Sequence, residues 1–216
     1  MEALDYLVLS KLAYVDFRAS DKGNSIGSVL DKVKNNVDGE ARKGLDINDL
    51  ELSLLLDSSN PLRSYKLINF EKNDITGFAA AAFQSPSGEI VFAFRGTETT
   101  DNGIPVWNDA ATDAIIGLTV LPPLQAQNVL DFAQSTVAKL TNNKDISINR
   151  SLQYLKNNNA TATGHSLGGG LASYLTHATS NLDTGGSYGG IKSVTFNAVG
   201  IGHSLPKLGG VARLKQ

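Results

Sequence analysis

The chain has 216 residues, 41% of them hydrophobic and 19% charged, with a formal net charge of −2. That is ordinary globular composition for one domain with a sizeable core, and the absence of a basic cluster argues against nucleic acid as a partner. Cysteine is absent, which excludes disulfides, thiolate metal sites and a cysteine nucleophile together but leaves the compartment open.

The N-terminal stretch MEALDYLVLSKLAYVDF places Leu4, Leu7, Val8, Leu12 and Val15 on one helical stripe, which predicts an amphipathic helix packed on the domain. Glu2 and Asp5 stand where a cleavable leader carries basic residues, and no apolar run reaches transmembrane length. The expectation is a cytoplasmic protein or one secreted without a leader. Ser20–Gly27 is polar and glycine-bearing, hence a loop. Val29–Val37 and Asp49–Leu56 carry apolar residues at helical spacing, so residues 1–60 read as a mainly helical region. Asp46 and Asn48 resemble the start of a cation loop, but the central glycine and distal glutamate are missing. A cluster of helix-capping residues explains them better.

Strands follow. Tyr65–Phe70 alternates and meets a polar turn at Glu71–Asp74; Thr76–Phe83 is continuous and rich in small residues. The turn signal Ser85-Pro86-Ser87-Gly88 precedes the apolar run Ile90–Phe94, which has the length of a buried strand. These three segments are expected to pair as hairpins before a parallel core begins. Trp107–Ile116 reads as a helix. Gly117–Pro123 is apolar and closes on two prolines, which suits either a mobile cover or a buried loop. Leu124–Leu140 and Ile148–Leu155 are helical by spacing, Gly185–Gly190 is a connector, and Ile191–Phe196 is a further strand.

Asn159–Leu171, NATATGHSLGGGL, holds the chemistry. The order is a small-residue strand, then Gly164-His165-Ser166-Leu167-Gly168, then a helix with Leu171, Ala172, Leu175 and Ala178 on one face. That is the form of a nucleophile elbow, in which a serine on a sharp strand-to-helix turn stands clear of the sheet. Glycines two residues either side relieve the clash that such a turn creates. Acyl transfer at a serine also needs oxyanion donors and a base. Leu167, next after the serine, offers one backbone N–H at a helix start. The second donor belongs on the loop after an earlier strand, where Arg95-Gly96-Thr97-Glu98 stands; taken alone, that segment reads equally as a plain strand-end turn.

IVFAFRGTE, then Trp107 with Asp109 shortly after, ATGHSLGGGLA and SVTFNAVG together resemble the lipase class 3 family of α/β-hydrolases. The matching region runs from about Ile90 to Gly200. The resemblance implies a single domain over 1–216, with a mostly parallel sheet flanked by helices and incomplete at its C-terminal side. It implies Ser166 as nucleophile, Thr97 and Leu167 as oxyanion-hole residues, and a lid region from Thr97 to about Pro123. Asp109 or Asp113 takes the structural role of the family's aspartate after the tryptophan. It calls for no cofactor and no metal. The substrate it implies is a lipid or phospholipid acyl ester, met at a membrane or micelle surface.

The family orders its triad as serine, acid, histidine. After Ser166 this sequence holds one acidic residue, Asp183, and two histidines, His177 and His203. Asp183 precedes the last strand and so falls at the wrong end of the sheet. His177 lies about three turns along the elbow helix, and His165 adjoins the serine but points away from it. His203 follows a strand's C-terminal end, the edge where α/β sheets bind ligands, but the family's turn is missing there. The expectation is a serine esterase whose acid and base lie in a C-terminal segment or partner protein. The alternative is a silent hydrolase-like module that binds lipid or a partner; a peptidase or acyltransferase using the same elbow is remoter.

Overall fold

A computed structural model describes residues 1–34, 53–73, 75–96, 123–182 and 189–198. Its centre is a five-stranded sheet in the order β1 (Lys66–Asn73), β2 (Phe78–Gln84), β3 (Ile90–Phe94), β4 (Thr161–His165) and β5 (Lys192–Phe196). β1–β2 and β2–β3 are antiparallel, while β3–β4 and β4–β5 are parallel. Among the described strands the sheet is therefore mixed rather than mostly parallel. The reason is local: short turns join the first three strands, and only antiparallel neighbours can be joined that way.

Helices cover both faces. α1 (Ala3–Leu12) and α2 (Ile26–Lys34) lie on one side; α3 (Pro123–Thr141), α4 (Ile148–Asn157) and α5 (Leu167–Ser180) lie on the other. The period-two pattern of the strands builds both cores. Phe78, Ala80, Ala82, Ile90, Phe92 and Phe94 face the core under α3–α5, while Ala81, Phe83, Val91 and Ala93 face the core under α1 and α2. Phe132 of α3 meets Phe92 edge-on at 5.8 Å and lies 6.5 Å from Phe94. These rings are fully buried, and each stabilises the fold by about 2–3 kcal/mol through area alone.

Several elements differ from the sequence expectation. β1 runs on to Asn73, through residues expected to turn, with Glu71 opposite Ala80 and Lys72 opposite Ala79. Among the described residues β1 is an edge strand, and polar residues are tolerated there because one side of the backbone has no strand neighbour among them. The turn falls at the next residues, where Asn73 Oδ1 accepts from the N–H groups of Ile75 and Thr76. α1 is rotated from its expected face: Tyr6, Val8, Leu9 and Leu12 are buried, whereas Leu4 is exposed. Nearly every side of this helix is apolar, so tertiary bonds choose the face. The Tyr6 hydroxyl donates to Glu89, and its carbonyl accepts from the buried Thr163 hydroxyl of β4 at 3.2 Å. Of the expected helix at Asp49–Leu56, the described residues are Ser53, which is helical, and the 3-10 turn Leu54–Leu56 that follows it. The Asp46–Asn48 cluster and the helix at Trp107–Ile116 lie outside the described residues.

A polar patch joins α3 to β1. Lys139 donates to Asn69 Oδ1, with Lys22 and Glu71 close by. Burial, reinforced by the charge of Lys22, pulls the Lys139 ammonium down to about 8 from the ordinary 10.5. The folded-state value lies below the unfolded one, so the unfolded chain holds more protons in that window and stability rises with pH through it. The melting temperature of the wild type relative to Lys139→Gln is expected to increase between pH about 8 and 10.5. A difference that stays flat over that range contradicts this placement of Lys139.

Candidate active site

Ser166 sits between the end of β4 and the start of α5, at φ 54° and ψ −125°. Four described non-glycine residues have positive φ; three are asparagines, which tolerate that region, and the fourth is Ser166. Nothing in the serine side chain favours this backbone. It makes no capping bond to the helix it precedes. The surrounding backbone imposes the conformation instead: the Ser166 N–H donates to the Phe196 carbonyl of β5 at 2.9 Å, and its carbonyl accepts from Gly169 at 3.0 Å. The sharp turn is thus pinned on the sheet side and on the helix side.

The glycines of the motif are required by close approach. A Cβ at Gly164 would overlap the Gly168 carbonyl group. One at Gly168 would overlap the Phe94 carbonyl oxygen of β3, and one at Gly169 would come within 2.6 Å of Ala198 Cβ. α5 therefore starts with its backbone against the strand ends. Leu167 is its first residue, half-buried, and the N–H at that position has no intrahelical acceptor. The dipole of a 14-residue helix adds partial positive charge at the same point.

β3 delivers a second piece of backbone to the site. Its ladder with β4 ends at Phe94 opposite Gly164. Arg95 then donates its N–H to Ala79 O at 2.9 Å and its guanidinium to Gly77 O at 3.1 Å. Gly96 is buried next to the elbow: a Cβ there would stand 2.6 Å from the His165 carbonyl oxygen and 3.4 Å from Ser166 Cβ. Tyr14, in the turn after α1, accepts the Gly96 N–H through its hydroxyl at 3.0 Å. Sequence reading missed Tyr14, because no motif marks a contact made across 82 positions of chain.

The other expected site residues divide in two. Thr97, Asp183, His203, Trp107, Asp109, Asp113 and the lid segment up to Pro122 lie outside the described residues. His165 ends β4, and its carbonyl oxygen lies 2.6 Å from where a Cβ on Gly96 would stand. His177 is near the far end of α5, with Nε2 bonded to Asn181 Nδ2 at 2.7 Å. Burial lowers its pKa, and the imidazole is bonded locally, remote from Ser166. Among the described residues no side chain hydrogen-bonds the Ser166 hydroxyl, which is half-buried.

This geometry presents a hydroxyl at a helix N-terminus, at the C-terminal edge of parallel strands, where open α/β sheets place ligands. It suits nucleophilic attack with backbone donors for the charge that develops. No model of a known protein family matches the chain, and no curated protein matches it.

Proposed function

We propose that the chain is a serine carboxylester hydrolase of α/β-hydrolase type, acting on lipid or phospholipid acyl esters through Ser166. The observation that carries this reading is the Ser166 backbone, held at φ 54° by glycines in backbone contact on both sides. A serine costs about 1–3 kcal/mol in such a conformation, and strain of this kind clusters at functional sites. The resemblance of FRGTE and GHSLGG to lipase class 3 supplies the substrate class.

In the proposed reaction Ser166 Oγ attacks the ester carbonyl carbon, and its proton passes to a base. The Oγ–acyl bond forms, the alcohol leaves with a proton, and water then releases the fatty acid. The N–H groups of Leu167 and Thr97 hold the oxyanion. His203 and Asp183 are the weak candidates for base and acid within this sequence. A membrane or micelle surface is the proposed site of encounter with substrate.

A fluorophosphonate probe tests the reading. Its phosphorus accepts the serine oxygen and loses fluoride, so a reactive Ser166 becomes covalently labelled. Rapid, stoichiometric labelling mapped to the peptide containing Ser166 is the expected result. Labelling elsewhere, or none, would favour the silent lipid- or partner-binding module.

A further inference from the structure

We infer that Tyr14 is a positioning residue for the Ser166 site, resting on the reading of that serine as the nucleophile. Its hydroxyl fixes the Gly96 amide, and so fixes where the end of β3 stands against the elbow. Three groups surround a single methyl-sized point beside Gly96: Tyr14 Oη at 2.8 Å, the His165 carbonyl oxygen at 2.6 Å and Ser166 Cβ at 3.4 Å. The tyrosine oxygen and the serine thus flank the same residue.

The bond sits where the sheet stops supplying partners. Arg95 still finds a strand acceptor in Ala79, but the β3–β4 ladder has ended at Phe94. The next N–H, that of buried Gly96, is taken by a side chain from another layer of the fold. A buried N–H left without an acceptor is costly, so removing the tyrosine oxygen forces the strand end to move. Tyr14 is itself rigidly placed. Its N–H donates to Lys11 O at 3.0 Å, and its neighbours Ala13 and Val15 are buried in the core beneath α1. Three residues beyond Tyr14, Phe17 packs against Phe70 and Phe83 at 5.9 and 6.2 Å. Tyr14 therefore links the α1 layer to the backbone beside the nucleophile.

The consequence belongs to the transition state. The point beside Gly96 lies 3.4 Å from Ser166 Cβ, and an attacking hydroxyl is sensitive to small displacements. A shift at Gly96 should therefore leave ester binding intact and slow the chemistry.

The test compares wild type, Ser166→Ala and Tyr14→Phe on a short, soluble p-nitrophenyl ester, with a trifluoromethyl ketone as mimic of the tetrahedral oxyanion. Tyr14→Phe is expected to lower kcat by about 10- to 100-fold with KM within about twofold, and to weaken the ketone by a similar factor. The melting temperature should fall by a few degrees, as one buried N–H loses its acceptor, and exchange of the Gly96 amide should quicken. Unchanged kcat and ketone affinity, in an active wild type that Ser166→Ala silences, overturn the role of Tyr14 alone. So does a loss confined to KM or to melting temperature, which would mark a merely structural residue. A wild type that neither turns over the ester nor binds the ketone overturns the nucleophile reading, and this inference with it.

Discussion

Ser166→Ala is expected to remove ester turnover by at least about 1,000-fold and to abolish fluorophosphonate labelling, while the protein remains folded. The large loss follows from the proposed chemistry: without Oγ no acyl-enzyme would form, and oxyanion donors alone would supply only a residual rate. The folded state loses nothing by the change, because the Ser166 side chain makes no capping bond to α5. Ser166→Gly sharpens the expectation. Glycine occupies positive φ without steric cost, so relief of strain offsets its greater freedom in the unfolded chain, and a gain of about 1 kcal/mol is expected. For a chain of this size that is a rise of roughly 2–4 °C in melting temperature. An inactive and more stable glycine variant would locate the strain at the nucleophile. Retained turnover in Ser166→Ala would sink the esterase assignment, and a less stable Ser166→Gly would sink the strain argument.

The parts of the fold that were legible in the sequence are those set by local periodicity. Ile90–Phe94 reads as a buried strand because every residue is apolar, and the structure buries all five. The helix expected at Leu124–Leu140 appears as Pro123–Thr141, and the one expected at Ile148–Leu155 as Ile148–Asn157. The elbow is legible for a different reason. Glycine spacing around Ser166 reports close backbone approach, and the approaches at Gly164 and Gly168 are of that kind.

Features that depend on which elements meet were not legible. Glu71 and Lys72 look like turn residues until their edge-strand position is known. The apolar faces of α1 are too alike for periodicity to choose between Leu4 outward and Leu9 inward, and the bonds of Tyr6 to Glu89 and Thr163 decide it. Tyr14 belongs to the same class. Its relation to Gly96 exists only because α1 packs on the face of the sheet opposite α5, so the turn after α1 reaches the end of β3.

Gly168→Ala should damage the elbow although it adds a single methyl. Helix propensity alone predicts the opposite sign, since alanine is better than glycine by about 1 kcal/mol inside a helix. Gly168 is the second residue of α5, but packing overrules propensity there. The added Cβ would overlap the Phe94 carbonyl oxygen and lie 2.8 Å from the carbonyl carbons of both Phe94 and Arg95. All three are backbone atoms at the end of a fully buried strand, so no side chain can swing aside. Relief requires α5 to move away from β3, which disturbs the core at Leu171 and Leu175 and displaces Ser166 from its neighbours. Overpacking of this kind costs on the order of 3 kcal/mol, or roughly 6–12 °C in melting temperature at this chain length, and turnover should fall with it. Gly88→Ala provides the control. That glycine has φ 92° and open space around its missing Cβ, so only backbone strain of about 1 kcal/mol is expected and activity should persist. Equal melting temperatures for the two variants would mean that α5 yields freely at its first turn. The glycines would then no longer explain how Ser166 is held.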